Sequence, residues 1–507
     1  QGANTCAAGG IGFKINNWGN QEMSGQLDSL MVIFTEFYYW VTVVLMFLIH
    51  VGFCVYEVGA SRRKNIQHTL MKNTMLIPLV TVTFFYFGWW IYFAFPHFPM
   101  MGGFLDAPWA VPWSELMGTH MGGAITVQTE SMNAADHGWW ARINGVFWAA
   151  FLLFSWTTAS IVSGAVIERI KTQAFLILVV LVGSCTWIID AAWGWSWNGW
   201  MVQLWGFHDA YASSVVHGIA GGSALGVLVV LGPRLGKFAP DGTPRDIPQN
   251  NPWLVTVGLF LIYTGFWGFY AACNIPIIDF EGVVMGSDKE AFFTATNIYL
   301  TPTSLSAITF NFLMSLSGGL LAGYVVSRGD PFWSYSGGLA GVITASAGND
   351  LYHPIEAMII GMVGVWIAYK MHHWVERKFK LDDAVGAVAV HGYAGFVGTV
   401  IAGFMLWGYP SNVVGGDIGW FGNNADGVAI INPIGNFLGA MLFFWVLGFL
   451  PCYILSKILD GMGWLRVPRE IELAGLDTHD YGDSFPYHAY RDTTMEDIDR
   501  ELAKGQG

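Results

Sequence analysis

The chain of 507 residues is 54% hydrophobic and 16% aromatic, yet only 12% charged, with a net charge of -13. Soluble domains carry roughly 25% charged residues, so a set of ordinary water-soluble domains is excluded, and the acidic balance excludes nucleic acid as a partner. Five scattered cysteines (Cys6, Cys54, Cys185, Cys273 and Cys452) lack metal-ligand spacing and make no disulfide framework.

Residues 1–30 contain no long apolar run and are expected to form an extracytoplasmic segment. The first residue is Gln1, which leaves two readings open: an exported N-terminus whose leader has been removed, and a truncated start. A membrane domain is expected over 31–458, because apolar stretches of ~18 or more residues with few charges read as spanning helices. Such stretches lie near 31–58, 70–95, 144–167, 173–193, 210–232, 252–273, 301–326, 334–349, 355–374, 384–408 and 430–456. The 334–349 stretch is short and rich in glycine, the small residue that lets helices approach closely in lipid. Residues 459–507 form a polar C-terminal tail, expected to pack on the cytoplasmic face.

These spans predict an all-α membrane protein of 11 transmembrane helices. With the N-terminus out and the C-terminus in, all but Lys14, Lys72, Arg142 and Lys289 of the 23 lysines and arginines fall in inner loops or the tail. The outer loops then carry Asp106, Glu115, Glu130, Asp136, Asp279, Glu281, Asp288, Asp417 and Asp426. They read either as a cation-concentrating vestibule or as ordinary solvated loop charge.

An internal repeat singles out two histidines. Residues 209–221 read DAYASSVVHGIAG and residues 383–395 read DAVGAVAVHGYAG, both fitting DA-x5-VHG-x-AG. The copies fall in the fifth and tenth spans, so helices 1–5 and 6–10 form an inverted five-helix repeat, which places a shared site near the midplane. Each histidine lies eight residues beyond its aspartate, about 12 Å at ~1.5 Å per residue. In a hydrocarbon core of ~30 Å, His217 and His391 therefore arrive at the same depth from opposite faces. A single buried histidine is ordinarily a hydrogen-bonded core residue, but the repeat makes these two a pair, and intramembrane ionisable groups mark functional sites. Haem or metal ligation by the pair is the structural alternative.

The stretches EVGASRRKN (57–65), SGAVIERI (163–170), DAYASSVVHG, LDDAVGAVAVHG and LRVPREIELAGLD (465–477) together resemble the ammonium transporter family, over about 57–477. The resemblance implies a homotrimer in the plasma membrane with one pore per subunit, ammonium or ammonia as substrate, and neither enzymatic activity nor a cofactor. It also implies that a cytoplasmic nitrogen-regulatory trimer is a plausible partner. It makes His217 and His391 the pore and proton-relay pair, and Asp209 the organiser of the ammonium recruitment region. Phe154, Trp193 and Cys273 become recruitment residues, and Phe154 with Phe269 the gate. An ammonia channel of Rhesus type and a sensor signalling through the tail are the alternatives. Three positions depart from the family pattern: Cys273 where a serine is frequent, Tyr270 in place of a small polar residue, and Gly386 in place of a second acid.

Overall fold

The computed structural model describes residues 9–97, 138–276, 295–413 and 415–482. Its helices are α1 (Gly9–Ala60), α2 (Arg63–Ala94), α3 (Gly138–Ala165), α4 (Thr172–Gly194), α5 (Ser213–Leu231), α6 (Pro252–Ala272), α7 (Leu305–Ser327), α8 (Pro331–Ala345), α9 (Pro354–Phe379), α10 (Val388–Met405) and α11 (Pro433–Gly461). Two short tail helices follow, α12 (Arg469–Ala474) and α13 (Leu476–Tyr481). The first helix runs unbroken through residue 30. Among the described residues, 10 helices are long and apolar enough to cross a membrane, in the places the apolar runs predict.

The expected eighth span is the exception. Helix α8 has only 15 residues, fewer than the ~20 that cross ~30 Å of hydrocarbon. It stops because the carbonyls beyond its end are used elsewhere: Ser346 O and Ala347 O accept from the N–H groups of Tyr211 and Ala210 (3.1 and 3.0 Å). Its glycines press it against α7, since a methyl at Gly337 would lie 2.6 Å from Gly319 O. A second departure from an all-helical chain is a small antiparallel sheet of β1 (Asn274–Pro276), β2 (Ala295–Asn297) and β3 (Pro302–Thr303).

Helix starts follow from sequence. Asn251, Asp330 and Asn432 each precede a proline, and their side-chain oxygens accept backbone N–H groups from Trp253 (3.1 Å), Trp333 (2.9 Å) and Gly435 (2.8 Å). Proline at the first helical position lacks the N–H that would be orphaned there, so the pairing suits a helix start. Outward faces carry exposed Phe87, Phe260, Phe310, Val325 and Phe404, a surface that hydrocarbon covers at no cost.

One end of the bundle is tied by charge. Arg62 binds Glu168 (2.5 Å), and Arg234 grips Asp382 through its backbone N and its guanidinium (2.9, 2.8 and 2.9 Å). The tail is strapped to this same end: Lys171 N donates to Leu465 O, Val467 N to Arg169 O, and Arg466 reaches both Leu231 O and Glu472 (2.8 Å each). Asp477 accepts from the N–H groups of Gln67 and His68 (2.9 and 2.8 Å), capping the first turns of α2. Of the acidic loop residues expected to face outward, Asp106, Glu115, Glu130, Asp136, Asp279, Glu281 and Asp288 lie outside the described residues, as do Cys6 and the tail beyond 482. The four described cysteines are free thiols.

Candidate functional site

The two copies of the repeat build the centre of the bundle in matching ways. Asp209 accepts backbone N–H groups from Ser213, Ser214 and Val215 (2.6, 2.6 and 2.9 Å), and Asp383 accepts from Val388 and Ala389 (2.9 and 3.2 Å). Three residues after each aspartate the backbone turns left-handed, at Ala212 (φ 67°) and Gly386 (φ 69°). The glycine that departs from the family pattern thus sits where a residue without Cβ is least strained. Each helix then opens with a π-helical turn holding its histidine, Ser213–Gly218 in α5 and Val388–Tyr393 in α10. Helix α5 ends beside the start of α10, where Arg234 meets Asp382, while Thr399 of α10 reaches Ser214 at the start of α5 (2.7 Å). The two helices are therefore antiparallel.

Glycines set how closely they cross. A methyl at Gly221 would stand 2.1 Å from the Gly392 Cα, and one at the matching Gly395 would stand 2.1 Å from Ser213 O. Backbone cannot yield as a flexible side chain does, so Gly221→Ala is expected to force the crossing apart. The penalty is that of overpacking, about 1–3 kcal/mol or more, read as a lower melting temperature and a lower yield of folded protein.

The crossing brings the two imidazoles into contact. His217 Nδ1 and His391 Nδ1 are 3.0 Å apart, with ring centroids at 5.1 Å. That separation is a hydrogen bond, in which one ring donates and the other accepts. His217 stacks on Phe266 (5.8 Å) and Phe269 (5.5 Å), and its Nε2 is buried with no partner. Phe269 meets Phe154 edge to face at 4.7 Å, and Phe154 meets Trp195 in the same way at 4.7 Å. Trp195, Phe154, Phe269, His217 and His391 thus form one continuous row of buried rings.

The predicted residues fall into place unevenly. Phe154, Phe269, His217 and His391 are brought together, and Asp209 holds the start of α5 from beneath the wall. Cys273 closes α6 one turn beyond Phe269, with its thiol donating to Phe269 O at 3.2 Å. Tyr270 stacks on Tyr211 at 4.4 Å and bonds Ser346 Oγ at 2.7 Å. Trp193 packs edge-on to Trp200 at 5.7 Å, while Phe154 meets Trp195 at 4.7 Å and, less closely, Trp187 at 6.5 Å. The clue to Trp195 was local: it lies just past the end of α4, where the chain leaves the helix and can turn its side chain inward.

On the other side of His391 lies a small cavity, with room for about one water-sized molecule, lined by Phe53, Tyr56, Glu57, Ser160, Ser336 and Val385 among others. A cluster that could suggest a metal, His372, His373 and Glu376, already has another use. Lys237 Nζ sits 2.6 Å from Glu376, and both imidazoles pack on Trp333.

The electrostatics are clearest at the charged end. Burial pushes the Asp382 carboxyl up, but Arg234 and Arg169 outweigh it and hold the carboxyl far below the usual range. Glu168 is held down in the same way, with Arg62 and Arg234 overcoming its burial. Burial lowers Arg169 to about 10.

Fold and site together describe a multi-pass helical membrane protein with two imidazoles in contact at its centre. The sequence matches the Ammonium Transporter Family model over residues 36–485, and the chain belongs to that family. It is 30% identical over 438 residues to the ammonium transporter Amt2 of Methanocaldococcus jannaschii, covering 86% of this chain and 87% of that protein. Among solved structures it resembles a sensor Amt protein (TM-score 0.68, 22% identity, 89% of this chain and 99% of that one). It also resembles Mep2 of Candida albicans (TM-score 0.65, 16% identity, 90% and 92%).

Proposed function

We propose that this protein is an ammonium transporter of the plasma membrane that recruits ammonium beside Phe154 and conducts ammonia past its twin histidines. The observation that carries the reading is the His217–His391 hydrogen bond at the end of an otherwise apolar row of rings. A cation without a counter-ion can be held by aromatic faces, worth ~0.5–2 kcal/mol. It cannot enter a dry apolar passage as a bare charge, because burying an unpaired ion costs far more than that. Ammonium held at the Phe154–Trp195 end therefore gives up a proton to the unpartnered His217 Nε2, with Asp209 fixing the backbone there and Cys273 on the neighbouring helix end. Ammonia slips between Phe154 and Phe269, and the shared Nδ1–Nδ1 proton of the histidine pair provides a route for the charge.

Assembly as a homotrimer, with the N-terminus outside and the tail inside, completes the proposal. The orientation is supported by the gathering of Arg62, Arg169, Arg234 and Arg466 at one end of the bundle. A nitrogen-regulatory trimer docking at that end is the partner the family resemblance suggests. The test of the whole reading is a solid-supported membrane recording on proteoliposomes. A transient current on adding ammonium is expected, and ammonia uptake without current would sink the proton route.

The placement of the tryptophans gives a sharper prediction. Trp195→Leu is expected to weaken half-saturation by ammonium several-fold, matching a lost cation–π contact of about 1 kcal/mol. Trp193→Leu should leave it within twofold of wild type. Equal effects of the two variants would remove Trp195 from the recruitment site.

A further inference from the structure

The cavity beyond His391 holds a carboxylate for which the proposed transport route has given no role. Glu57 is 1% exposed and lies on α1, inside an apolar run where an acid is costly. One of its oxygens, Oε2, is fixed: Asn73 Nδ2 donates to it at 2.9 Å and Ser163 Oγ at 2.7 Å. The other, Oε1, is buried without a partner, and the residue lines the same cavity as His391. Ser336, on α8, brings a buried hydroxyl to the same wall, beside that of Tyr56. Tyr56 and Ser160 line the cavity too, but their hydroxyls are engaged, with Val385 O (3.3 Å) and His50 Nδ1 (3.0 Å).

The surroundings explain how the acid is tolerated. Among the described residues no lysine or arginine is in ion-pair contact with Glu57. Lys72, buried on α2, bonds Ser163 O at 3.3 Å and so stands one residue removed from the carboxylate. His50 closes the network by its Nε2 contact with Asn73 O (3.0 Å). Lys72 offsets part of the cost of burying a negative charge, yet leaves Oε1 open to the cavity. Gly386, at the mouth of α10, brings no acid of its own, which leaves Glu57 the only carboxylate among the residues lining this space.

We propose that this cavity is an inner cation site, in which the Glu57 carboxylate, helped by the Ser336 hydroxyl, holds an ammonium ion before release. The proposal rests on the transport reading above for its place in the route. Ammonia leaving the pair takes the His391 Nε2 proton. A proton accepted at His217 Nε2 moves the shared one from His217 Nδ1 to His391 Nδ1. The His391 Nε2–H bond breaks, an N–H bond to ammonia forms, both rings end neutral and the charge ends on ammonium. The carboxylate then faces a cation with up to four N–H donors, matching an oxygen that has no donor in the protein. Lys72 at one remove keeps the site shallow, as an exit site must be, because conduction requires binding weak enough to leave.

The test uses full-length protein in proteoliposomes. Glu57→Gln keeps an oxygen for Asn73 and Ser163 and replaces only the free oxygen with an amide. Ammonium-induced infrared difference spectra of the wild type should show a shifted carboxylate stretch that disappears in Glu57→Gln, while its melting temperature stays close to wild type. Ser336→Ala should raise the ammonium concentration for half the spectral change several-fold. The ammonium current of Glu57→Gln should fall about tenfold, equivalent to ~1.4 kcal/mol. An unchanged difference spectrum in Glu57→Gln overturns the site, as does a full wild-type current in that variant. If Glu57→Gln does not fold, an unshifted response in Ser336→Ala overturns it. A wild type that carries no current but keeps the Glu57 spectral change would remove the proton relay and leave the cation site standing.

Discussion

Replacing His217 with alanine is expected to cut the ammonium-driven current about 10–100-fold, the equivalent of the ~1–3 kcal/mol cost of leaving a buried polar group unpaired. The orphaned group is His391 Nδ1, which loses its 3.0 Å partner. The hole left behind is sealed by Phe266 and Phe269, which stack on the His217 ring. An apolar hole of that kind stays dry, so neither a proton nor a hydrated ion crosses it. His391→Ala should behave differently, because its ring borders the small cavity lined by Glu57. Removing it joins that cavity to His217 and lets water reach the pair's remaining imidazole. The expected result is a smaller loss of ammonium current accompanied by a new potassium current. Both variants can be read in one recording by exchanging ammonium for potassium. Wild-type currents and selectivity in both would show that the pair does not line the route.

Much of this centre was legible in the sequence because its signals are periodic and duplicated. The repeat gave two aspartates and two histidines at equal spacing, and helix rise then required the rings to meet; they do, at 3.0 Å. The spans were legible because hydrocarbon demands long apolar runs. Helix α8 was less so, since its end is decided by which backbone N–H groups need its carbonyls, those of Ala210 and Tyr211, over a hundred residues earlier. The strands at 274–303 are two or three residues long, too short for any alternation to register. Trp193 and Trp195 differ by two residues, about 200° around a helix at ~3.6 residues per turn. Choosing between them needs the point at which α4 ends, and motif matching does not supply it. Glu57 was visible as part of EVGASRRKN, but which of its oxygens is left free depends on Asn73 and Ser163, on two other helices.

Asp382→Ala is expected to destabilise the protein by about 3–5 kcal/mol, the cost of breaking a buried ion pair from one side. Arg234, which donates three hydrogen bonds to Asp382 and is itself 6% exposed, would be left as a buried charge with Glu168 at 3.8 Å as its remaining partner. The damage reaches the centre, because Asp382 directly precedes Asp383, which caps the helix carrying His391. Current should therefore fall together with the melting temperature. The pH dependence has a definite sign. The folded carboxyl is held far below its unfolded value, so its contribution is fully present above the unfolded carboxyl pKa of ~3.9 and is lost progressively as pH falls below that. Wild type and Asp382→Ala should then converge in melting temperature under acid and separate above pH ~4. A double variant, Arg234→Met with Asp382→Leu, removes both charges and should recover most of the lost stability, since well-packed apolar pairs replace buried ion pairs at little or no cost. Arg169 permits this, because its guanidinium donates to the carbonyls of Gly232, Ile167 and Asp382 (2.9, 3.0 and 2.8 Å), which the substitutions leave in place. A double variant as unstable as Asp382→Ala would mean that the carboxylate stabilises this end through something other than Arg234.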